Sequence, residues 1–325
     1  MKVLIRGAGV AGLSLAYELR KRGADVTLFE IREGLTRSAS WLAGGMLAPW
    51  CERENAEEDV LTYGKVSVDW WAKALPGAVA KNGTLVVAPP RDTAELNRFA
   101  ERTSDYEWLD RVGVTNLEPD LAGRFTKGLF FPEEAHLDPR KALVQLEKAV
   151  SSLGVRTCFG PEEPKVDADF VADCIGTASK EKELRAVRGE MLILHAPEVT
   201  LSRPVRMLHP RIPVYIVPRD DNHFMVGATM IESADDGPVS VRSTMELLNA
   251  AYSLHPAFAE AKITETGVGV RPAYADNLPR IRFDGHVLSL NGFYRHGFLL
   301  APHFAAQAAE TLFQSSKETT LETHH

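Results

Sequence analysis

Gly7-Ala8-Gly9-Val10-Ala11-Gly12 directly follows the apolar run Val3-Leu4-Ile5 and opens a segment with helical spacing. A G-x-G-x-x-G run in that position commits the chain to a strand, a tight turn and a helix laid back on the strand. Gly7 permits the turn, Gly9 lets backbone approach a pyrophosphate, and Gly12 lets the helix pack closely on the strand. A bound phosphate then meets free N–H groups at the helix N-terminus, where Val10 and Ala11 stand. Ala24–Phe29 reads as the second strand and ends on Glu30, about 20 residues past the glycines, where an acid takes the ribose hydroxyls. The competing reading, a glycine-rich turn with no ligand, leaves that acid unexplained.

The chain has 325 residues, 45% hydrophobic and 25% charged, which suits a soluble globular protein of one complex domain or two intertwined ones. A net charge of -7 argues against a nucleic-acid-binding surface. Arg20-Lys21-Arg22 reads as a solvated helix end, and Arg203, Arg206 and Arg211 as scattered loop charges. Cys51, Cys158 and Cys174 lack C-x-x-C spacing, so neither a zinc site nor a disulfide framework is expected; they read as buried thiols in a reducing compartment. The first residues enter a strand at once, leaving no signal peptide, and no apolar run is long enough to span a bilayer. The expectation is a cytoplasmic protein.

Further along, Ser38–Pro49 is a loop of small residues, and Asp59–Ala74 carries helical patterning with Trp70 and Trp71 as packing residues. Asp138-Pro139 starts a helix that runs to Val150, with Asp138 as cap and Pro139 at the first helical position. Asp169–Gly176 reads as a third parallel strand of the nucleotide domain. From Val187 to Thr266 the pattern changes to strands, with Arg219–Asn222 as a hairpin turn, and the chain closes on a helix from about Pro302 to Phe313. The fold class is α/β: a Rossmann-like nucleotide domain of residues 1–78, 136–184 and 267–325, with an inserted antiparallel-sheet substrate domain of residues 79–135 and 185–266.

Six segments in order, Gly7–Gly12 with Glu30, Ala43–Pro49, Tyr215–Arg219, Val226–Met230, Arg271–Ile281 and Asn291–Pro302, resemble the D-amino-acid oxidase superfamily of FAD enzymes. The likeness is closest to the glycine oxidases of thiamine biosynthesis, the ThiO type. It implies FAD bound in extended form, with its ADP half over Gly7, Gly9, Gly12 and Glu30. Arg37, Ser38, Ser40, Gly44, Gly45 and Met46 then fall on the loop lining the pyrophosphate and isoalloxazine, with an ordinary polar turn as the alternative for Arg37 and Ser38. Gly176 corresponds to the glycine ending the third strand, and His296, Gly297, Phe298 and Leu299 bring a helix start to the flavin's pyrimidine edge.

By the same resemblance Arg271 binds the substrate carboxylate, and Tyr215 lies near that carboxylate or simply packs in its strand. Met230 lines a small pocket or fills core, and Arg295 stands beside flavin and substrate. Two positions depart from the pattern. Pro213 stands where relatives carry histidine, with His209 nearby in sequence, and His296 stands where asparagine is common. The implied reaction is oxidation of glycine or another small amino acid to its imine, with oxygen reoxidising the flavin to give hydrogen peroxide and the product feeding thiazole synthesis. No side-chain base is required if the amine arrives neutral. The alternatives are a related secondary-amine or D-amino-acid oxidase or dehydrogenase, or a flavoprotein that matures a partner protein; a homo-oligomer is compatible with either.

Overall fold

The computed structural model describes residues 1–54, 56–208 and 214–322. Lys2–Arg6 pairs in parallel with Asp25–Glu30 on one side and Phe170–Asp173 on the other, so the third parallel strand lies where the sequence placed it. Arg156–Phe159 and Val287–Asn291 extend this sheet in parallel, and Arg280–Asp284 closes it as an antiparallel sixth strand. Helix Val10–Lys21 buries Leu13, Leu15, Ala16 and Leu19, and packs against Pro139–Ser152 and the C-terminal helix Gly297–Glu322. At the start of Pro139–Ser152 the Asp138 carboxylate accepts from the amides of Arg140 and Lys141, at 2.9 and 3.2 Å, as the cap reading requires.

The second sheet has nine strands, and its hub is Arg185–His195. That strand pairs with Lys262–Ala273 along its length, and with His223–Gly227 and Ile231–Glu232. The sheet continues through Val214–Pro218, Val205–Met207, Thr84–Val87 and Lys127–Phe131 to Glu107–Asp110. It is antiparallel, as expected, except where Val205–Met207 meets Thr84–Val87 in parallel. The turn after Val214–Pro218 has Asp221 and Asn222 both at positive φ, with His223 donating to the Asp220 carbonyl, a hairpin geometry that Asp and Asn tolerate well. Strand Lys262–Ala273 crosses residue 267, where the sequence reading returns the chain to the nucleotide layer, and stays paired to Arg185–His195 as far as Ala273.

Two helices differ from expectation. Asp59–Ala74 divides into Glu58–Gly64 and Ser67–Ala74. The C-terminal helix begins at Gly297, so Pro302 lies inside it rather than at its start. Proline has no N–H, and the carbonyl of Phe298, four residues back, loses its helical donor. The fully buried Trp71 replaces it: its Nε1 donates to the Phe298 carbonyl at 2.8 Å. Trp71 is therefore more than core filling. Trp71→Phe leaves that carbonyl buried without a donor and should cost about 1–3 kcal/mol in equilibrium denaturation. A variant as stable as the parent would show that the carbonyl finds another donor. No described helix is long and apolar enough to cross a membrane.

Candidate active site

The glycines behave as their spacing requires. Gly7 has φ +98°, and a Cβ there would lie 2.4 Å from the Cys174 carbonyl oxygen; a Cβ on Gly12 would lie 1.9 Å from the Gly7 oxygen. Strand, turn and helix are thus locked together, leaving the start of helix Val10–Lys21 open to a cavity of about 500 Å3. Gly7, Gly9, Val10 and Ala11 line that cavity, while Gly12 is packing beneath it. Glu30 is buried and accepts from the Ala8 amide at 2.9 Å and from Arg32, which the sequence reading did not single out. Arg32 also lines the cavity.

From this end the cavity runs along the loop Ser38–Met46. Ser40 Oγ accepts from the Val10 amide at 3.1 Å, so the loop is tied to the helix start, and Gly44, Gly45 and Met46 form the next stretch of wall. Ser38 is buried, with its hydroxyl turned into the loop between the Leu35 carbonyl and the Trp41 amide. Arg37 does not line the cavity. It is exposed on a turn at φ +62°, so of the two readings the polar turn describes its position. On the opposite wall the Gly176 carbonyl accepts from Asn291 at 2.9 Å.

The C-terminal helix then presents its N-terminus. Leu300 is the first residue to donate back, to the His296 carbonyl, so the amides of Gly297, Phe298 and Leu299 precede the first intrahelical bond at the cavity wall. A Cβ on Gly297 would come within 3.2 Å of Val10, which brings the two helix starts together. Donors for a pyrophosphate at one end, an acid for a ribose, and a second helix N-terminus for the negative edge of a flavin fit FAD along one continuous channel.

Beyond the helix start the cavity ends in a charged group that the sequence only partly revealed. Arg271 projects diagonally across the sheet from its pairing with Val187 to lie over Gly189, where a Cβ would be 2.1 Å from its Nη2. Its Nη1 donates to the Thr229 carbonyl at 3.1 Å, and among the described residues no carboxylate pairs with it. Burial pushes this guanidinium down to about 10, so it stays charged at neutral pH with no compensating anion. Met230 is 45% exposed rather than core: its sulfur faces Tyr294 Oη at 3.3 Å and Arg295 Nη1 at 3.4 Å.

Arg295 is itself paired. Its Nε lies 2.7 Å and its Nη2 2.5 Å from Glu52 Oε2, and the other Glu52 oxygen accepts the Tyr215 hydroxyl at 2.8 Å. Tyr215 in turn accepts from Arg206 Nη1 at 2.6 Å, so its hydroxyl is held within this network. Arg206 is fully buried and pairs with Glu54 at 2.5 Å, which corrects the reading of it as a scattered loop charge: it sits on the buried strand Val205–Met207. Burial pushes the Glu52 carboxyl up, but the Arg295 and Arg206 charges and the Tyr215 hydrogen bond outweigh it and hold it at about 2. His296 is 4% exposed with Nδ1 3.4 Å from Glu52; burial pushes its imidazole down to about 4, so it is neutral.

Of the remaining histidines, His303 stacks on Tyr63 away from the cavity, and His209, like Pro213 and Arg211, lies outside the described residues. Glu52, Arg206, Gly189 and Tyr294, like Arg32, are among the cavity-wall residues that sequence reading missed. The available signal for Glu52 was its position in a short helix, Pro49–Glu52, immediately after the lining loop.

Comparison with known proteins agrees with this geometry. The model of the family described as FAD dependent oxidoreductase (DAO) matches residues 2–311. A Rhizobium etli protein named "Putative thiamine biosynthesis oxidoreductase ThiO" is 59% identical over 96% of both chains. A glycine oxidase of Bacillus licheniformis is 25% identical over 97% of this chain and 94% of its own. The crystal structure of glycine oxidase from Geobacillus kaustophilus superposes with a TM-score of 0.78, covering 95% of this chain and 94% of that one at 23% identity. The chain belongs to the D-amino-acid oxidase family of FAD-dependent oxidoreductases, and it is an FAD-dependent amino acid oxidase.

Proposed function

We propose that this oxidase converts glycine, or another small amino acid, to its imine, that oxygen takes the electrons to give hydrogen peroxide, and that the product supplies thiazole synthesis for thiamine. The observation that carries the substrate class is the uncompensated Arg271 guanidinium in the cavity wall, beside Met230 and Tyr294. A carboxylate satisfies that charge with two parallel hydrogen bonds. The link to thiamine is supported by the name of the 59% identical relative.

When bound, FAD supplies the hydride acceptor. The chain's own residues do the orienting: Arg271 fixes the carboxylate, and Met230 and Tyr294, in contact with each other, line the cavity beside it. The helix start at Gly297–Leu299 offers its dipole and amides to negative charge. The three unpaired cysteines support a cytoplasmic location.

Of the described residues that line the cavity, neither His296 nor Glu52 titrates near neutrality; Glu134, which burial pushes up to about 7, lies off the cavity behind Cys51. His296, at about 4, is already neutral and Glu52, at about 2, is already ionised. With both cavity groups fixed in charge, the substrate amine sets the slope, and kcat/KM should rise about tenfold per unit between about pH 5 and 8, as the neutral amine fraction does. An additional inflection near the ordinary histidine pKa that disappears in His296→Asn would show His296 taking a proton. The assignment is tested by oxygen uptake with glycine, sarcosine, D-alanine and D-proline. Glycine or sarcosine should consume oxygen with equimolar peroxide, and absence of uptake with all four would overturn it.

A further inference from the structure

Three guanidiniums stand at the substrate end of the cavity, and their charges are balanced unequally. Arg206 is matched by Glu54 and the Tyr215 hydroxyl, and Arg295 by Glu52. Arg271 has the neutral Thr229 carbonyl. Glu52 produces the difference between Arg295 and Arg271, for both arginines line the same cavity and Arg295 is near enough to oppose the charge on Arg271.

The acceptor capacity of Glu52 is spent on this task. One oxygen takes the Tyr215 hydroxyl, and the other takes two nitrogens of Arg295 and faces His296. Its side chain is 10% exposed, so water competes little for those bonds. A carboxylate so engaged is a poor proton acceptor and a poor partner for the substrate amine; what it controls is which positive charge remains for an incoming anion.

We propose that Glu52 sets the charge specificity of the site: by occupying Arg295 it leaves Arg271 as the one guanidinium of the three open to a substrate carboxylate, which admits monocarboxylate amino acids and disfavours dicarboxylates. This rests on the reading of Arg271 as the carboxylate receptor. Glu52 does not touch the reacting atoms in this account; it is a positioning residue. A second carboxylate on the substrate would meet Arg295 already neutralised, beside a fixed negative charge.

Glu52→Gln keeps an acceptor for Tyr215 and removes the charge that neutralises Arg295. In the holoenzyme, with flavin reduction followed anaerobically, the ratio of the second-order rate constant of reduction by iminodiacetate to that by glycine should rise at least about tenfold, the value of one charge-assisted contact. Glu52→Asp should keep the ratio near the parent's. A purely structural role would lower both substrates together and leave the ratio unchanged, and that result with flavin bound overturns the proposal.

A second measurement needs no variant. Competition against glycine by acetate and by malonate reads the parent site directly, and acetate should inhibit at least as strongly as malonate. Malonate inhibiting tenfold more strongly would mean a second guanidinium is already free, which also overturns it. If neither anion competes although glycine is oxidised, the carboxylate-receptor reading itself fails and the proposal falls with it.

Discussion

Arg271→Ala should raise the apparent KM for glycine by about 30- to 1,000-fold while the flavin stays bound, the range expected when one partner of a buried, hydrogen-bonded charge pair is removed. The residue lies at the end of the channel away from the nucleotide glycines, so its loss empties the carboxylate receptor without touching the cofactor's adenine half. Gly189→Ala should reach the same outcome by another route. A Cβ at 189 would fall 2.1 Å from Nη2 and 2.2 Å from Cζ of Arg271. The clash is with the end of a flexible side chain, so the sheet survives and the guanidinium swings away. The expected result is a raised KM, smaller than in Arg271→Ala, with unchanged flavin content. Steady-state kinetics on both variants checks this; glycine kinetics equal to the parent's in Arg271→Ala would remove the substrate assignment.

The second large effect concerns the cofactor. Gly12→Ala places a methyl 1.9 Å from the Gly7 carbonyl oxygen, a contact between backbone and the first turn of the helix that no rotamer relieves. The helix must move off the strand, and the amides of Val10 and Ala11 move with it. We expect Gly12→Ala to purify with little or no FAD absorbance. Gly34→Ala is the matched control, because a Cβ there meets nothing within 4 Å and the backbone is not at positive φ; it should retain flavin as the parent does. Stoichiometric flavin in Gly12→Ala would mean that the close approach is not needed for binding.

The parts of the molecule legible in the sequence are those written locally. The Gly7–Gly12 turn, the Asp138 cap and the Asp221-Asn222 hairpin each depend on a few adjacent residues whose backbone preferences are strong. Resemblance added Arg271 and Arg295, and the structure brings both to one cavity with Tyr215 and Met230. What stayed hidden is non-local. Gly189 matters because Lys262–Ala273 pairs beside it, 82 residues away for Arg271, and nothing near Gly189 in sequence announces that neighbour. Arg206 reads as a loop charge until strand Val205–Met207 buries it against Glu54, Tyr215 and the Cys51 carbonyl. Pro302 looked like a helix start because proline is favoured there. Its tolerance inside the helix comes from Trp71, 231 residues earlier, supplying the missing donor to Phe298.

The same contrast explains the reading of the histidines. In the sequence His209, His296 and His303 were available for a proton-accepting role, and none was assigned it. Packing separates two of them: His303 stacks on Tyr63 away from the cavity, and His296 is buried beside Glu52 and Arg295 in its neutral form. A neutral, enclosed imidazole supports a reaction in which the substrate amine brings its own lone pair.

The most direct test is anaerobic addition of glycine to the yellow holoenzyme, followed by the absorbance of the oxidised flavin. The account predicts that glycine bleaches the flavin fully, and at a rate at least equal to steady-state turnover. An oxidised spectrum that persists at saturating glycine, in a preparation with full flavin content, would contradict it.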